Sequence, residues 1–132
     1  MRTRQVRYFT ENERGFVELL IAIGTRRNVA HVLVFLANTP DATSRDIERG
    51  TDLRQPEVSL AMNYLIEKKW ITSSENRSAH KGRPVKVYSL SRTVSAIMDM
   101  IEKEQKEKAK KKLATLQKLQ IFVRGSTGKE KL

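Results

Sequence analysis

Residues 53–65 read LRQPEVSLAMNYL, and this stretch decides how the middle of the chain folds. Pro56 lies where the first turn of a helix tolerates a proline, because the N–H that proline lacks has no helical partner there. The apolar residues that follow recur at helical spacing, so we expect a helix over about residues 55–69. Its inner stripe consists of Val58, Met62 and Leu65 with Ala61 beside them, and its other side carries Arg54, Gln55, Glu57, Ser59 and Asn63.

Upstream of this helix the sequence predicts two more helices and a tight connector. Residues 26–37 carry a broad apolar stripe at helical spacing, which indicates a largely buried helix. Either Thr43 or Ser44 then caps a short helix that ends near Gly50. Residues 51–53 form the connector between the short helix and the longer one.

Downstream of the helix over residues 55–69 the sequence predicts a hairpin and a long helix. Residues 70–76 and 84–91 are typical of strands, and the loop between them contains a glycine. A long helix follows from Thr93 to about Val123. Both ends of this helix are apolar, and its middle is almost entirely charged.

The first helix of the chain indicates a second subunit. Thr10, with Glu13 three residues later, forms a capping-box pattern that predicts the start of a helix of about a dozen residues. Residues 16–23 are apolar nearly all round that helix, which therefore has to be buried on more than one side. In so small a chain the expected cover is another copy. The helix over 93–123 either pairs in the same way or is a single solvent-exposed helix. We therefore expect a homodimer.

The charge of the chain points to a polyanionic partner. The formal net charge is +11 and the isoelectric point is near 10.2. Residues 38–75 carry seven acids and five bases, whereas residues 76–98 carry five bases and no acid. Four of these cations crowd the predicted hairpin and its loop, where Gly82 allows a tight turn: Arg77, Lys81, Arg83 and Lys86.

The predicted order is helix, short helix, tight turn, longer helix and a hairpin with a basic tip. This is the order of a winged helix-turn-helix, a mainly α fold with a small β-hairpin, here with N-terminal and long C-terminal dimerisation helices. We divide the chain into a basic arm (1–9), the winged helix-turn-helix domain (10–92), a dimerisation helix (93–123) and a disordered tail (124–132).

A helix of this kind fits the major groove of DNA, where its first turns reach base edges. We expect Gln55, Ser59 and Asn63 to read bases. Asn63 has the alternative of being an ordinary solvated residue. Arg54 is expected to contact the backbone or a guanine edge. Glu57 either accepts from a cytosine amine or is a first-turn carboxylate favoured by the helix dipole. The basic loop either reaches phosphates and the minor groove or is simply solvated. Further candidate contacts are Ser44, Arg45, Pro56 and Gly82.

A resemblance to a known group strengthens this interpretation. The stretch from ATSRDI (42–47) to LIEKKWI (65–71) resembles the winged-helix core of archaeal and bacterial transcriptional regulators related to the TrmB, ArsR and MarR families. The phrase LRQPEVS (53–59) resembles their turn and recognition helix, and GRPVKVYSL (82–90) resembles their wing. The resemblance covers about residues 29–91.

The resemblance implies a dimer that binds specific double-stranded DNA and regulates transcription. Metal-sensing ArsR-type regulators use clusters of cysteine or histidine, whereas this chain has no cysteine and two distant histidines, so we expect no metal site. By analogy the recognition helix carries Gln55, Pro56, Glu57, Ser59 and Asn63, and the wing carries Arg83.

Other classes of function lack a signal in this sequence. The chain shows no Gly-rich phosphate loop, nucleophile elbow or zinc motif, so we expect neither catalysis nor a cofactor. It shows no signal peptide and no apolar stretch long enough for a membrane, and it lacks cysteine, so we expect a cytoplasmic protein. Since no sensory domain is evident, a pocket for a small-molecule effector is expected only as a cleft between subunits.

Two alternatives to DNA recognition remain. A winged helix also serves as a protein-interaction scaffold without specific DNA binding, and the charge of −2 over residues 38–75 keeps that alternative open. RNA binding is weaker, because only 6% of the residues are aromatic and no stacking platform is evident.

The basic loop generates the first prediction. Replacing Arg83 with alanine removes one cation from the predicted wing, so affinity falls for all duplexes alike. The slope of log K against log salt should become shallower by about one. An electrophoretic mobility-shift assay at several salt concentrations measures both quantities. Unchanged affinity in the Arg83→Ala variant contradicts a role for the loop in binding phosphate.

Overall fold

Five helices and two strands make up the described residues, 10–76 and 84–127, of this computed structural model. The chain divides into two compact units, of which the first ends at Val94 and the second begins at Ser95. This mainly α architecture with one small hairpin confirms the predicted fold class. The elements are α1 (Glu11–Ala22), α2 (Arg27–Asn38), α3 (Ser44–Thr51), α4 (Gln55–Glu67), β1 (Ile71–Asn76), β2 (Val85–Leu90) and α5 (Val94–Thr127).

Helix α1 begins where the capping box predicts. The Thr10 hydroxyl accepts from the Glu13 N–H at 3.2 Å, and Glu13 Oε1 accepts from the Thr10 N–H at 2.8 Å. Glu13 Oε2 accepts from Asn38 Nδ2 at 2.6 Å, which links the start of α1 to the end of α2. Leu20 is buried but Leu19 is 69% exposed, so α1 keeps an apolar side chain in solvent.

Helix α2 is the centre of the first unit. It contacts α1, α3, α4 and β2, and such a position requires apolar residues on most of its surface. Gly50 of α3 lies so close to α2 that an added Cβ would come within 2.7 Å of three ring carbons of Phe35. The missing side chain at Gly50 therefore creates the space for this ring. The buried residues of α2 are Val29, Ala30, Val32, Leu33, Val34, Phe35 and Leu36.

The two strands form an antiparallel hairpin that is joined to the helices. Ile71 pairs with Leu90 at the base of the hairpin. Ala42, in the connection between α2 and α3, forms an antiparallel bridge with Tyr88 of β2. Its N–H donates to the Tyr88 carbonyl at 3.0 Å, and its carbonyl accepts from the Tyr88 N–H at 2.8 Å. The bridge fixes the hairpin beside the start of α3.

The predicted end of the fourth helix is wrong. Helix α4 ends at Glu67 rather than near Lys69, because Lys69 adopts a left-handed conformation with φ of 65°. The Lys69 and Trp70 N–H groups donate to the Ile66 and Leu65 carbonyls at 2.9 and 3.1 Å, which is the pattern of a Schellman motif.

Helix α5 is longer than predicted. It continues to Thr127, past the expected end at Val123, so the tail predicted over 124–132 begins inside the helix. Propagating an existing helix by one turn fixes few residues per added hydrogen bond, and one glycine costs only about 1 kcal/mol relative to alanine. The predicted basic arm (1–9), the loop 77–83 and residues 128–132 lie outside the described residues. In the described parts of the chain, none of the helices combines the length and apolarity needed to cross a membrane.

The contact between Gly50 and Phe35 predicts a stability effect. In the Gly50→Ala variant the new methyl group overlaps the buried ring, so the free energy of unfolding should fall by about 1–3 kcal/mol, as for other overpacked cores. Thermal and urea unfolding followed by circular dichroism measure this change.

Gly15→Ala is the matched control. Gly15 lies inside α1, and a Cβ placed there meets no atom within 4 Å. This variant should gain about 0.5–1 kcal/mol from the higher helix propensity of alanine. Equal effects of the two substitutions, or a stable Gly50→Ala variant, contradict the packing described here.

Candidate functional site

A tight turn joins α3 to α4 as the sequence predicts. Thr51 is buried, and its hydroxyl donates to the Ile47 carbonyl at 2.6 Å. Asp52 adopts a left-handed conformation with φ of 59°, which aspartate tolerates better than most residues. Its N–H donates to the Glu48 carbonyl at 2.9 Å, and Leu53 then returns to the core. These contacts fix the direction in which α4 leaves the turn.

The first turn of α4 is held by two further contacts. The Arg54 N–H donates to Glu57 Oε1 at 2.9 Å, so this carboxylate caps the helix to which it belongs. Asn28 Nδ2, at the start of α2, donates to the Glu57 carbonyl at 3.0 Å. Because Asn28 Oδ1 also accepts from the Val29 N–H at 2.9 Å, the amide is held at both ends. The first turn of α4 is thereby tied to the central helix.

The outward face of α4 presents uncharged side chains to solvent. Gln55, Pro56, Leu60 and Asn63 are exposed, and Ser59 is half-buried. Gln55 Nε2 donates to the Ser59 hydroxyl at 2.9 Å, so two of the predicted base readers are already hydrogen-bonded to each other. Amide and hydroxyl groups both donate and accept, which suits them to the mixed pattern of base edges. The opposite face of α4 is buried through Val58, Ala61, Met62 and Leu65.

The remaining predicted contacts lie on other elements. Ser44 and Arg45 are exposed in the first turn of α3, where Thr43 rather than Ser44 is the capping residue. Lys86 is exposed on β2 and pairs in register with Glu75 of β1. The other residues predicted for the wing fall in the loop outside the described ranges: Arg77, Lys81, Gly82 and Arg83.

Two residues of this region were not predicted from the sequence. Leu60 is 62% exposed on the outward face of α4, and its position out of phase with the buried stripe is a signal that the sequence contains. Asn28 lies in the first turn of α2, and its bond to Glu57 spans 29 residues. No local pattern predicts such a contact.

A separate cleft of about 410 Å³ opens between α1, α2 and the end of α3. The sequence predicts a pocket only between subunits. This cleft instead lies within the first unit of one chain. Both signs of charge line it, since Arg14, Arg27 and Arg49 stand against Glu18 and Asp52. Among the residues that the structure describes, no three histidines or acids come together as a metal site.

Comparisons with known proteins agree with the winged helix-turn-helix architecture. Residues 23–83 match the sequence profile of the MarR family. A possible transcriptional regulator from Methanosarcina mazei Go1 is similar in structure, with 19% identity over 76% of this chain and 83% of the other and a TM-score of 0.57. A MarR family transcription regulator has 15% identity over 89% of this chain and 81% of the other, with a TM-score of 0.51. No curated protein sequence matches the chain.

Proposed function

We propose that this chain regulates transcription by binding specific double-stranded DNA as a homodimer. The proposal is supported by the match of residues 23–83 to the sequence profile of the MarR family, a family of non-enzymatic transcription regulators. Helix α4 lies in the major groove, and the hairpin loop contacts the backbone or the minor groove. The observation that carries this proposal is the outward face of α4, where the exposed side chains of the first two turns, Gln55, Pro56 and Leu60, are uncharged.

The side chains on that face have distinct roles in the proposal. Asn63 and Gln55 carry amides, which form bidentate hydrogen bonds with adenine in the major groove. Ser59 accepts from Gln55 in the free protein and holds its side chain near the helix surface. Glu57 fixes the start of α4, since one of its carboxylate oxygens already accepts from the Arg54 N–H. We therefore favour the first-turn role of Glu57 over contact with cytosine.

Phosphate contacts come from the exposed groups around this face. Arg54 precedes the helix, Ser44 and Arg45 begin α3, and Lys86 lies on the hairpin. Contacts of this kind position a protein on the duplex without reading its sequence. The net charge of +11 adds long-range attraction to the polyanion, which accelerates association at low salt. The basic loop between the strands extends this set in the proposal.

The proposed dimer is supported by exposed apolar side chains in both units. In the first unit Leu19 of α1 and Ile23, which caps the end of that helix, are exposed. In the second unit α5 presents an exposed apolar stripe over its last turns. Leaving so many large apolar side chains in solvent is unfavourable, and a second copy supplies the matching surface in a two-fold dimer. The stripe of α5 consists of Leu113, Leu116, Leu119 and Val123, which are 45–61% exposed.

The reading of bases by α4 predicts a change in sequence preference. A duplex is first selected from a random library with the wild-type chain. Asn63→Ala should then lose about 1–3 kcal/mol of discrimination at one base pair, and Gln55→Ala should lose a similar amount at another. Binding to unrelated duplexes should stay the same, because these side chains carry no charge. Competition titrations at fixed salt measure both quantities.

Two outcomes contradict the proposed function. If the library yields no preferred sequence and the attraction to duplexes is weak and salt-sensitive, the chain is a protein-interaction scaffold instead. If a preferred sequence emerges but neither substitution alters it, the major-groove role of α4 is wrong.

The apolar stripe of α5 predicts an effect on assembly. Leu116→Glu places a charge in the proposed interface, so the dissociation constant of the dimer should rise at least about tenfold. Ala114→Glu is the matched control, because Ala114 is exposed on the opposite side of the same helical turn. Sedimentation equilibrium over a range of concentrations measures the constant. A wild-type chain that sediments as a monomer throughout, or equal effects of the two variants, contradicts the proposed dimer.

A further inference from the structure

The outward face of α4 carries an apolar centre that hydrogen bonding to bases does not explain. Pro56, Leu60, Asn63 and Glu67 follow one another at spacings of four, three and four residues, so they form one straight row along the helix. All four residues are exposed, and Leu60 is 62% exposed. An exposed leucine alone says little. This one lies beside the amide of Asn63, in the middle of the row proposed to enter the groove.

We propose that Leu60 reads thymine, by packing its side chain against the C5-methyl group in the major groove. This inference rests on the proposed function, because it requires α4 to lie in that groove. The C5-methyl group of thymine is the apolar group that base edges present there, and apolar side chains distinguish it from the other bases by contact. Leu60 is the sixth residue of α4, about 7.5 Å along the axis from Gln55, within the first two turns that reach base edges.

The chemistry of the surrounding surface favours DNA over a protein partner. Leu60 and Pro56 form a small apolar area on the outward face. Around it lie the polar side chains of Gln55, Ser59 and Asn63, with the half-buried Tyr64 one turn after Leu60 and Glu67 at the far end of the row. A stable protein interface buries about 800 Å² on each partner and has a larger apolar core rich in aromatic residues. One leucine among amides and hydroxyls matches instead the floor of the major groove, where methyl groups alternate with hydrogen-bonding groups. The basic chain supplies the complementary charge.

The experiment replaces single thymines by deoxyuridine in the selected duplex. Deoxyuridine keeps every hydrogen-bonding group of thymine and removes only the methyl group. For the wild-type chain we expect one thymine per half-site at which this replacement weakens binding about three- to fivefold, the effect of losing one buried methyl group. In Leu60→Ala the affinity for the thymine duplex falls, and the ratio between the thymine and deoxyuridine duplexes approaches one.

Ile66→Ala is the matched control, since Ile66 is an exposed aliphatic residue at the other end of the same helix. It should keep the wild-type ratio. Thermal unfolding verifies that both variants are folded. The comparison of thymine and deoxyuridine duplexes with the wild-type chain does not depend on any variant.

The outcomes separate this inference from the proposed function. If the chain binds its selected duplex tightly and no thymine is sensitive to loss of its methyl group, the role of Leu60 is wrong and the proposed function stands. The role of Leu60 is also wrong if Leu60→Ala keeps the wild-type ratio of affinities for the thymine and deoxyuridine duplexes. It is equally wrong if Ile66→Ala brings this ratio as close to one as Leu60→Ala does. If no sequence is selected at all, the proposed function itself fails.

Discussion

The packing of α2 against its neighbours is the constraint on which the rest of the first unit depends. Phe35 of this helix occupies space that exists because Gly50 has no side chain, and this contact sets how closely α3 approaches. At the other end of α2, Asn28 donates to the Glu57 carbonyl and holds the first turn of α4. One buried helix therefore positions both helices of the helix-turn-helix. Protein interiors are close-packed, so a shift of α2 displaces both.

From this constraint follows the orientation of the candidate site. Burial of Val58, Ala61, Met62 and Leu65 determines which side of α4 faces the core, and the opposite side has to face solvent. The Schellman motif at Lys69 ends the helix and starts the hairpin, and the bridge between Ala42 and Tyr88 returns the hairpin to the helices. The outward face is thus presented by a rigid element rather than a loop, as a site that reads base edges requires.

The features predicted from the sequence are those set by local chemistry. The capping box at Thr10, the proline in the first turn of α4 and the strand-forming residues of the hairpin are signals carried by residues a few positions apart. The contacts of Gly50 with Phe35 and of Asn28 with Glu57 join distant residues, so local patterns could not predict them. The exposure of Leu60 follows from its position out of phase with the buried stripe of α4, so this signal is present in the sequence.

The central claim is that the outward face of α4 lies in the major groove, and disulfide crosslinking tests it most directly. Because the chain has no cysteine, Asn63→Cys introduces a unique thiol. The partner is the selected duplex with a thiol tether on one base in the major groove. This account predicts rapid crosslinking at a single base position and none from Asn12→Cys on α1. Tight binding by Asn63→Cys without a crosslink at any position, or equal crosslinking from Asn12→Cys, contradicts it.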